Sequence, residues 1–131
     1  MAKTNIAAAI RGFFDQHMLA QRGLSNHTVL AYRDTMKLFL EFAARHHKKS
    51  CTELTLENLT AKIVCGFMDH RERVRKNSVP TRNARLAAID SFFQYLATTD
   101  PRHIAHSQSI LAVPFKRQAH RVPEYLEKLK S

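Results

Sequence analysis

Apolar residues recur at intervals of three and four along most of this chain, and this spacing constrains the fold more than any other feature of the sequence. Such spacing places apolar side chains on one face of an α-helix. The alternation of β-branched residues that marks strands is nearly absent, and only three glycines occur among 131 residues. The sequence therefore predicts an all-α bundle of four to five helices.

The ends of the predicted helices are marked by residues that cap helices or break them. The predicted helices span about Asn5–Gln21, Ser25–His46, Thr60–Arg75 and Ser78–Thr98, with Ser25 and Thr60 as N-caps, Gly23 after the first helix and Pro80 in the first turn of the fourth. A helical turn over Leu54–Leu59 and a short helix within Ile104–Phe115 complete the prediction.

The fourth predicted helix carries arginines on nearly the same azimuth as its apolar face. That face consists of Leu86, Ile89, Phe92, Phe93 and Leu96. Arg82 and Arg85 precede it by one and two turns. Because a guanidinium is costly to bury unpaired, we expect the first turns of this helix to extend beyond the core and expose both groups.

Positive charge is the second strong feature of the sequence. Lys and Arg number 21 against 11 Asp and Glu, which gives a net charge of +10. Six basic residues and one acid, Glu72, fall between Arg71 and Arg85. A surplus of this size on a small domain indicates a polyanionic partner, either nucleic acid or an anionic membrane surface.

The basic and polar residues gather near predicted helix starts. We expect the start of the second helix, Lys48–Lys49 and the start of the fourth helix to form one basic surface. Helix N-termini add backbone N–H donors that favour phosphate, and Ser, Thr and Asn side chains near them bond phosphate oxygens. By contrast, Asp34, Glu41 and Arg45 are predicted on a solvated face of the second helix. The pattern favours nucleic-acid binding.

Several other classes of protein fit the sequence poorly. No run of about 18 apolar residues is present, so we expect no membrane partner. The first residues lack a signal-peptide layout, and two cysteines make no disulfide framework, so we expect a cytoplasmic protein.

A zinc site is the main alternative for the histidines and cysteines. The candidate ligands are His46, His47, Cys51, Cys65 and His70. Their spacing fits no compact ligand pair, and we interpret both cysteines as buried small apolar residues. Neither a metal nor any other cofactor is expected.

Three segments resemble, in family order, parts of the tyrosine recombinases, the family of phage integrases and Xer-type enzymes. Leu24–Asp34, followed by Leu38–Phe42, resembles the opening of that family. Thr81–Leu96 is similar to its helix T-x-x-x-R-L-x-x-[IL]-x-x-F-F-x-Y-L, and Ser109–Arg117 is similar to the stretch that leads into its linker. Together the matches cover about Ile6–Lys116.

The resemblance implies a SAM-like core-binding domain over residues 1–115 and a basic linker over residues 116–131 that leads towards a catalytic domain. It implies duplex DNA at a recombination site as partner, with the second and fourth helices at the major groove. The protein's own catalytic domain and further copies on DNA are the other implied partners. The DNA-facing candidates are Ser25, Asn26, His27, Thr28, Arg33, Lys37, Lys76, Thr81, Arg82, Asn83 and Arg85.

We expect no DNA cleavage by this chain, because the family's catalytic residues lie in a domain that we expect to be absent from it. His70–Arg73 matches the family's H-x-x-R string but falls on the third predicted helix, where we interpret it as a solvated face. None of the three tyrosines, Tyr32, Tyr95 and Tyr125, has the context of a nucleophile.

Two other functions remain open at this point. A helical protein-interaction adaptor with a basic surface would explain Leu30, Leu38 and Phe42, which fall off the main apolar stripe of the second helix, although a wide core explains them equally. An RNA-binding helical domain lacks support, because the sequence offers no aromatic stacking platform.

Overall fold

The structure is a computed structural model that describes residues 5–18 and 23–117, and over those residues it is all-α, as predicted. The helices are α1 (Ile6–Gly12), α2 (Asn26–His47), α3 (Ala61–Arg73), α4 (Val79–Thr99) and α5 (Ile104–Leu111). Short 3-10 turns lie at Cys51–Glu53, Leu56–Asn58 and Pro101–His103. Within the described ranges no strand forms, and a single isolated bridge joins Asn5 to Thr55.

Side-chain caps fix the starts of the three long helices. The hydroxyl oxygens of Ser25, Thr60 and Ser78 each accept a hydrogen bond from the backbone N–H three residues later, at 3.1, 3.2 and 3.3 Å. These bonds satisfy N–H groups that have no partner within the helix. The predicted N-caps Ser25 and Thr60 are thus confirmed, and so is the start of α4, which carries Pro80 in its first turn.

The first helix differs from the continuous α-helix predicted over Asn5–Gln21. After α1 the chain continues as a π-helical segment, Phe13–Met18, in which three of six residues are buried. A Cβ added at Gly12 would lie 2.5 Å from the Tyr95 hydroxyl, so this glycine allows α4 to approach closely. Residues 19–22 of the predicted helix lie outside the described residues, and Gly23 follows them with φ of 87°.

Helix α4 lies at the centre of the bundle, in contact with α2, α3, α5 and the π-helical segment. All five residues of its predicted core face are buried. The rings of Phe92 and Phe93 meet edge to face with centroids 5.2 Å apart, and Phe13 meets Phe92 in the same way at 5.6 Å. Because α4 packs against most other elements, groups on its first turns can bond to several helices at once.

The segment before α3 packs its leucines into the core, as predicted. Leu54, Leu56 and Leu59 are all buried. Two histidine rings hold the backbone here, with His47 Nε2 2.9 Å from the Asn58 carbonyl oxygen and His106 Nε2 2.7 Å from that of Leu59.

The interpretation of the cysteines as buried apolar residues is wrong. Cys51 and Cys65 are both exposed. Among residues 5–18 and 23–117, no three His, Cys, Asp or Glu side chains are grouped so that they could hold a metal ion. None of the helices described is both long and apolar enough to cross a membrane.

Candidate nucleic-acid interface

The early part of α2 and the first turns of α4 face each other across a groove of about 170 Å³. Its lining residues are Ala31, Tyr32, Asp34 and Thr35 on α2 and Thr81, Ala84 and Arg85 on α4. We call this the α2–α4 groove. On α2 these residues lie one to two turns after Ser25–Thr28, so the groove joins the first turns of α4 to the second and third turns of α2.

The start of α2 presents polar side chains to solvent. Ser25, Asn26 and His27 are exposed and Thr28 is half-buried. The Ser25 hydroxyl is occupied as the N-cap and lies 3.0 Å from the Thr28 hydroxyl. Asn26 and His27 are therefore the more accessible side chains for an external ligand.

Arg33 and Lys37 are exposed but lie on the other edge of α2. Both line a second groove, between α2 and the first helical segment, rather than the α2–α4 groove. The Arg33 guanidinium carbon lies 5.4 Å from the centre of the Phe14 ring, a cation–π distance. The two grooves thus border opposite edges of the outer face of α2.

Of the three off-stripe residues of α2, only Leu30 projects from the domain, with 59% of its surface exposed. Leu38 and Phe42 are partly buried against the core. The wide-core interpretation therefore holds for Leu38 and Phe42, and Leu30 remains as an apolar side chain on a polar face.

Arg85 reaches across the α2–α4 groove. Its Nη1 donates to Asp34 Oδ2 at 3.3 Å and to Thr35 Oγ1 at 3.2 Å, and its Nε donates to Asn77 Oδ1 at 3.3 Å. The Arg85 side chain is 16% exposed, whereas the Asp34 side chain is 58% exposed. The arginine is thus held at the floor of the groove by an acid at its rim.

A second guanidinium shares the same amide. Arg71 Nε donates to Asn77 Oδ1 at 3.2 Å, so the oxygen that accepts from Arg85 also accepts from Arg71. Burial lowers the pKa of Arg71, and the charges of Arg85 and Arg75 lower it further, while Asp34 acts in the opposite direction. This cluster therefore carries more positive than negative charge.

Arg82 is held within the protein. Its Nε donates to Glu72 Oε1 at 3.2 Å, and its Nη1 donates to Asn83 Oδ1 at 3.0 Å and to the Pro114 carbonyl oxygen at 3.1 Å. Its side chain is only 11% exposed. The expectation that Arg82 and Arg85 expose their guanidinium groups is thus wrong, because Glu72 and Asp34 supply counter-charges from neighbouring helices.

Asn83 binds the backbone where the chain leaves the bundle. Its Nδ2 donates to the Lys116 carbonyl oxygen at 2.8 Å, and its Oδ1 accepts from the Lys116 N–H at 3.0 Å. Lys116 Nζ also donates to Glu72 Oε2 at 2.6 Å. We call Arg82, Asn83, Glu72 and Lys116 the exit clamp.

The exit clamp changes two sequence-based interpretations. Glu72 and Arg71 are half-buried and bond to Arg82 on α4 and to Asn77 in the following loop, so His70–Arg73 is not simply a solvated face. The hydrogen bond from Lys116, followed by the charges of Lys116 and Arg82, holds the pKa of Glu72 below its usual range. Lys116, the first residue of the predicted linker, is bound to the domain, and residues 118–131 lie outside the described residues.

Two further DNA-facing candidates, Lys76 and Thr81, lie in the loop between α3 and α4 and in the first turn of α4. Lys76 adopts φ of 57°, and the following Asn77 donates its backbone N–H to the Arg71 carbonyl oxygen at 2.9 Å, which closes the end of α3. The side chains of Lys76 and Thr81 are exposed. Sequence reasoning named these two residues but missed Asn77, which joins the arginines.

Comparison with known proteins adds an independent finding. Residues 10–99 match the phage integrase N-terminal SAM-like domain. The chain is 41% identical over 113 residues to the integrase/recombinase y4rC of Sinorhizobium fredii and 36% identical over 123 residues to y4rD of the same organism. It is 26% identical over 101 residues to the tyrosine recombinase XerC of Rickettsia massiliae.

The matches cover most of this chain but much less of its relatives. They include 86%, 94% and 76% of the chain, against 34%, 44% and 32% of y4rC, y4rD and XerC. The chain thus spans about a third to under half of the length of these curated relatives. No solved structure matches it.

Proposed function

This chain belongs to the phage integrase N-terminal SAM-like domain family, and on that premise we propose that it binds duplex DNA at a recombination site. The observation that carries the proposal is the α2–α4 groove. There the first turns of α4 and the second and third turns of α2 border a cluster in which Arg71 and Arg85 outnumber the single carboxylate of Asp34. The N-terminus of α4 and the excess guanidinium charge both favour phosphate oxygens.

The structure supports different roles for the predicted DNA-facing residues. We assign direct contacts to the exposed or groove-lining members of the set. These are Asn26, His27, Lys76, Thr81 and Arg85, with Arg33 and Lys37 at the far edge of α2. Ser25 and Thr28 fix the start of α2, and Arg82 and Asn83 act indirectly because their polar atoms are engaged in the exit clamp.

For the full-length protein we propose the organisation that its family implies. Residues 1–115 form the core-binding domain, and residues 116–131 join it to a catalytic domain. The two domains hold the duplex from opposite faces, and copies assemble on the DNA. In this arrangement the present chain contributes binding, and the DNA cleavage belongs to the catalytic domain.

Fluorescence anisotropy over a salt series tests DNA binding directly. A labelled random duplex should bind the purified chain with an affinity that falls log-linearly with salt, since each phosphate contact releases counterions. Single-stranded RNA of equal length is the comparison and should bind more weakly. Failure to bind duplex DNA at low salt would remove the proposal and favour a protein adaptor, for which Leu30 is the exposed apolar contact.

A pair of arginine variants locates the surface. Arg85→Ala should weaken duplex binding by about ten-fold, because it removes a guanidinium from the groove. Arg102→Ala removes the same charge from an exposed side chain just beyond the opposite end of α4 and should change the affinity by less than about two-fold. Equal losses from both variants would show that only net charge matters and not the groove.

A further inference from the structure

The α2–α4 groove contains an acid where a DNA-binding surface gains from having none. Asp34 lines the groove opposite Thr81 and Arg85. Its carboxylate is 58% exposed, so it lies at the rim, where a phosphate approaching Arg85 would meet it. Like charges placed together at an interface lower affinity.

The ion pair between Asp34 and Arg85 has a loose geometry. One nitrogen contacts one carboxylate oxygen at 3.3 Å, and the same nitrogen also donates to Thr35. The pair between Arg102 and Asp100 shows the tighter alternative, with bonds of 3.1, 3.0 and 2.6 Å to both carboxylate oxygens. A single, half-exposed contact of the first kind contributes little to stability and exchanges readily.

The positive charge around Arg85 exceeds what Asp34 can neutralise. Arg71 and Arg85 both donate to the neutral amide oxygen of Asn77, and Arg75 lies close enough to lower the pKa of Arg71. A second anion placed beside Arg85 is therefore favoured electrostatically. A phosphate offers several oxygens to the guanidinium fork, whereas Asp34 uses one.

We propose that Asp34 competes with DNA phosphate for Arg85 and thereby lowers the affinity of the α2–α4 groove for duplex DNA. The proposal rests on the proposed DNA-binding function. In the free protein Asp34 holds Arg85 in position. When DNA binds, a phosphate oxygen takes the place of the Asp34 carboxylate, which then repels the backbone beside it. Binding of duplexes without the preferred sequence is weakened most, because few other contacts offset this repulsion.

Variants that remove one negative charge test this competition. Their affinity for a random duplex is measured by anisotropy at one salt concentration. Asp34→Asn should tighten binding about five-fold, since both the competing pair and the repulsion are lost. Asp15→Asn removes the same charge from an exposed position on the π-helical segment, outside both grooves, and should tighten binding by less than about two-fold. Asp34→Ser is a second variant, because it keeps a hydrogen-bond acceptor near Arg85 without the charge.

A double-mutant cycle separates competition for Arg85 from general repulsion. In an Arg85→Gln background, Asp34→Asn should tighten binding clearly less than in the wild type, because the contested guanidinium is gone and only the repulsion is relieved. Circular dichroism melts of each variant show that the folded protein is compared.

Each outcome decides between the two proposals. Equal tightening by Asp34→Asn and Asp15→Asn, or an undiminished gain in the Arg85→Gln background, refutes the competition while leaving DNA binding in place. Absence of duplex binding by the wild-type chain and by all variants refutes the proposed function, and the competition with it.

Discussion

Arg82 and Arg85 lie three residues apart on α4, yet their surroundings differ in the exposure of the acid that faces each of them. Glu72, the partner of Arg82, has 23% of its side chain exposed and is bound by Lys116 as well. Asp34, the partner of Arg85, has 58% exposed and bonds through one oxygen. The two guanidinium groups themselves are almost equally covered, at 11% and 16% exposure.

The comparison shows that the burial of an arginine alone does not distinguish a structural residue from a binding residue. An enclosed acid with two cationic partners is hard for an external anion to displace, because all of its partners would lose their bonds together. An exposed acid with one partner is easily displaced, since water and phosphate can both reach it. We therefore regard the exit clamp as structural and the α2–α4 groove as open to exchange.

Asp90 extends the comparison to an acid without a counter-charge. Replacing this residue should change the free energy of unfolding more than replacing either arginine. Asp90 on α4 is 7% exposed, and its Oδ1 has no hydrogen-bond partner. Burial raises the pKa of Asp90 to about 6. The folded protein thus holds this proton more tightly than the unfolded chain, whose pKa is about 4, and stability falls as the pH rises between those values.

Asp90→Asn should raise the free energy of unfolding by about 3 kcal/mol above pH 6, with no advantage left near pH 4. Thermal melts of both proteins between pH 4 and pH 7 measure the difference. Asp15→Asn, at an exposed position on the π-helical segment, is the control and should not reproduce it. A pH-independent gap between Asp90→Asn and the wild type would show that folding does not raise the pKa of Asp90.

Arg82→Ala should break the exit clamp and lower the free energy of unfolding by about 2 kcal/mol, because it leaves Glu72 and the Pro114 carbonyl oxygen without their guanidinium donor. Arg85→Ala should lower it by at most about 1 kcal/mol, since Asp34 remains hydrated. Urea unfolding measures both. Comparable losses would contradict the distinction between the structural and the exchangeable pair.

Asn83→Ala should lower the free energy of unfolding by only about 1 kcal/mol, because it removes two hydrogen bonds to one backbone unit. Its clearer result should be local, as faster tryptic cleavage after Lys116 and Arg117 with unchanged cleavage after Arg73. Asn26→Ala, at the exposed start of α2, serves as the matched control. Uniformly faster cleavage at all three sites would indicate general destabilisation instead.

The helices could be predicted because their signals are local. Ser25 and Thr60 directly precede the helices that they cap, and the apolar residues of α4 recur at regular intervals within that helix. The π-helical segment could not be predicted in the same way. It follows Gly12, whose close approach to Tyr95 depends on how two distant helices pack.

Sequence reasoning singled out the starts of α2 and α4, and in the structure the first turns of α4 border a groove with the second and third turns of α2. The DNA-facing role of these residues stays a prediction. The partners of the arginines depend on tertiary packing, since Asp34 and Arg85 are 51 residues apart and Asn83 and Lys116 are 33 apart. No periodicity reports such pairings, so Asp34 was placed on a solvated face and Arg82 among the exposed arginines.

The exit clamp also fixes the point from which any following part of the chain is tethered. Lys116 is bound by Asn83, which lies on the side of α4 turned away from Thr81 and Arg85, so the clamp fixes a point across the helix from the groove. Without the clamp the last buried residue among those described is Val113, three residues earlier, and the point of attachment shifts by up to about 10 Å along the chain. A longer tether lowers the effective concentration at which an attached domain meets DNA held in the groove.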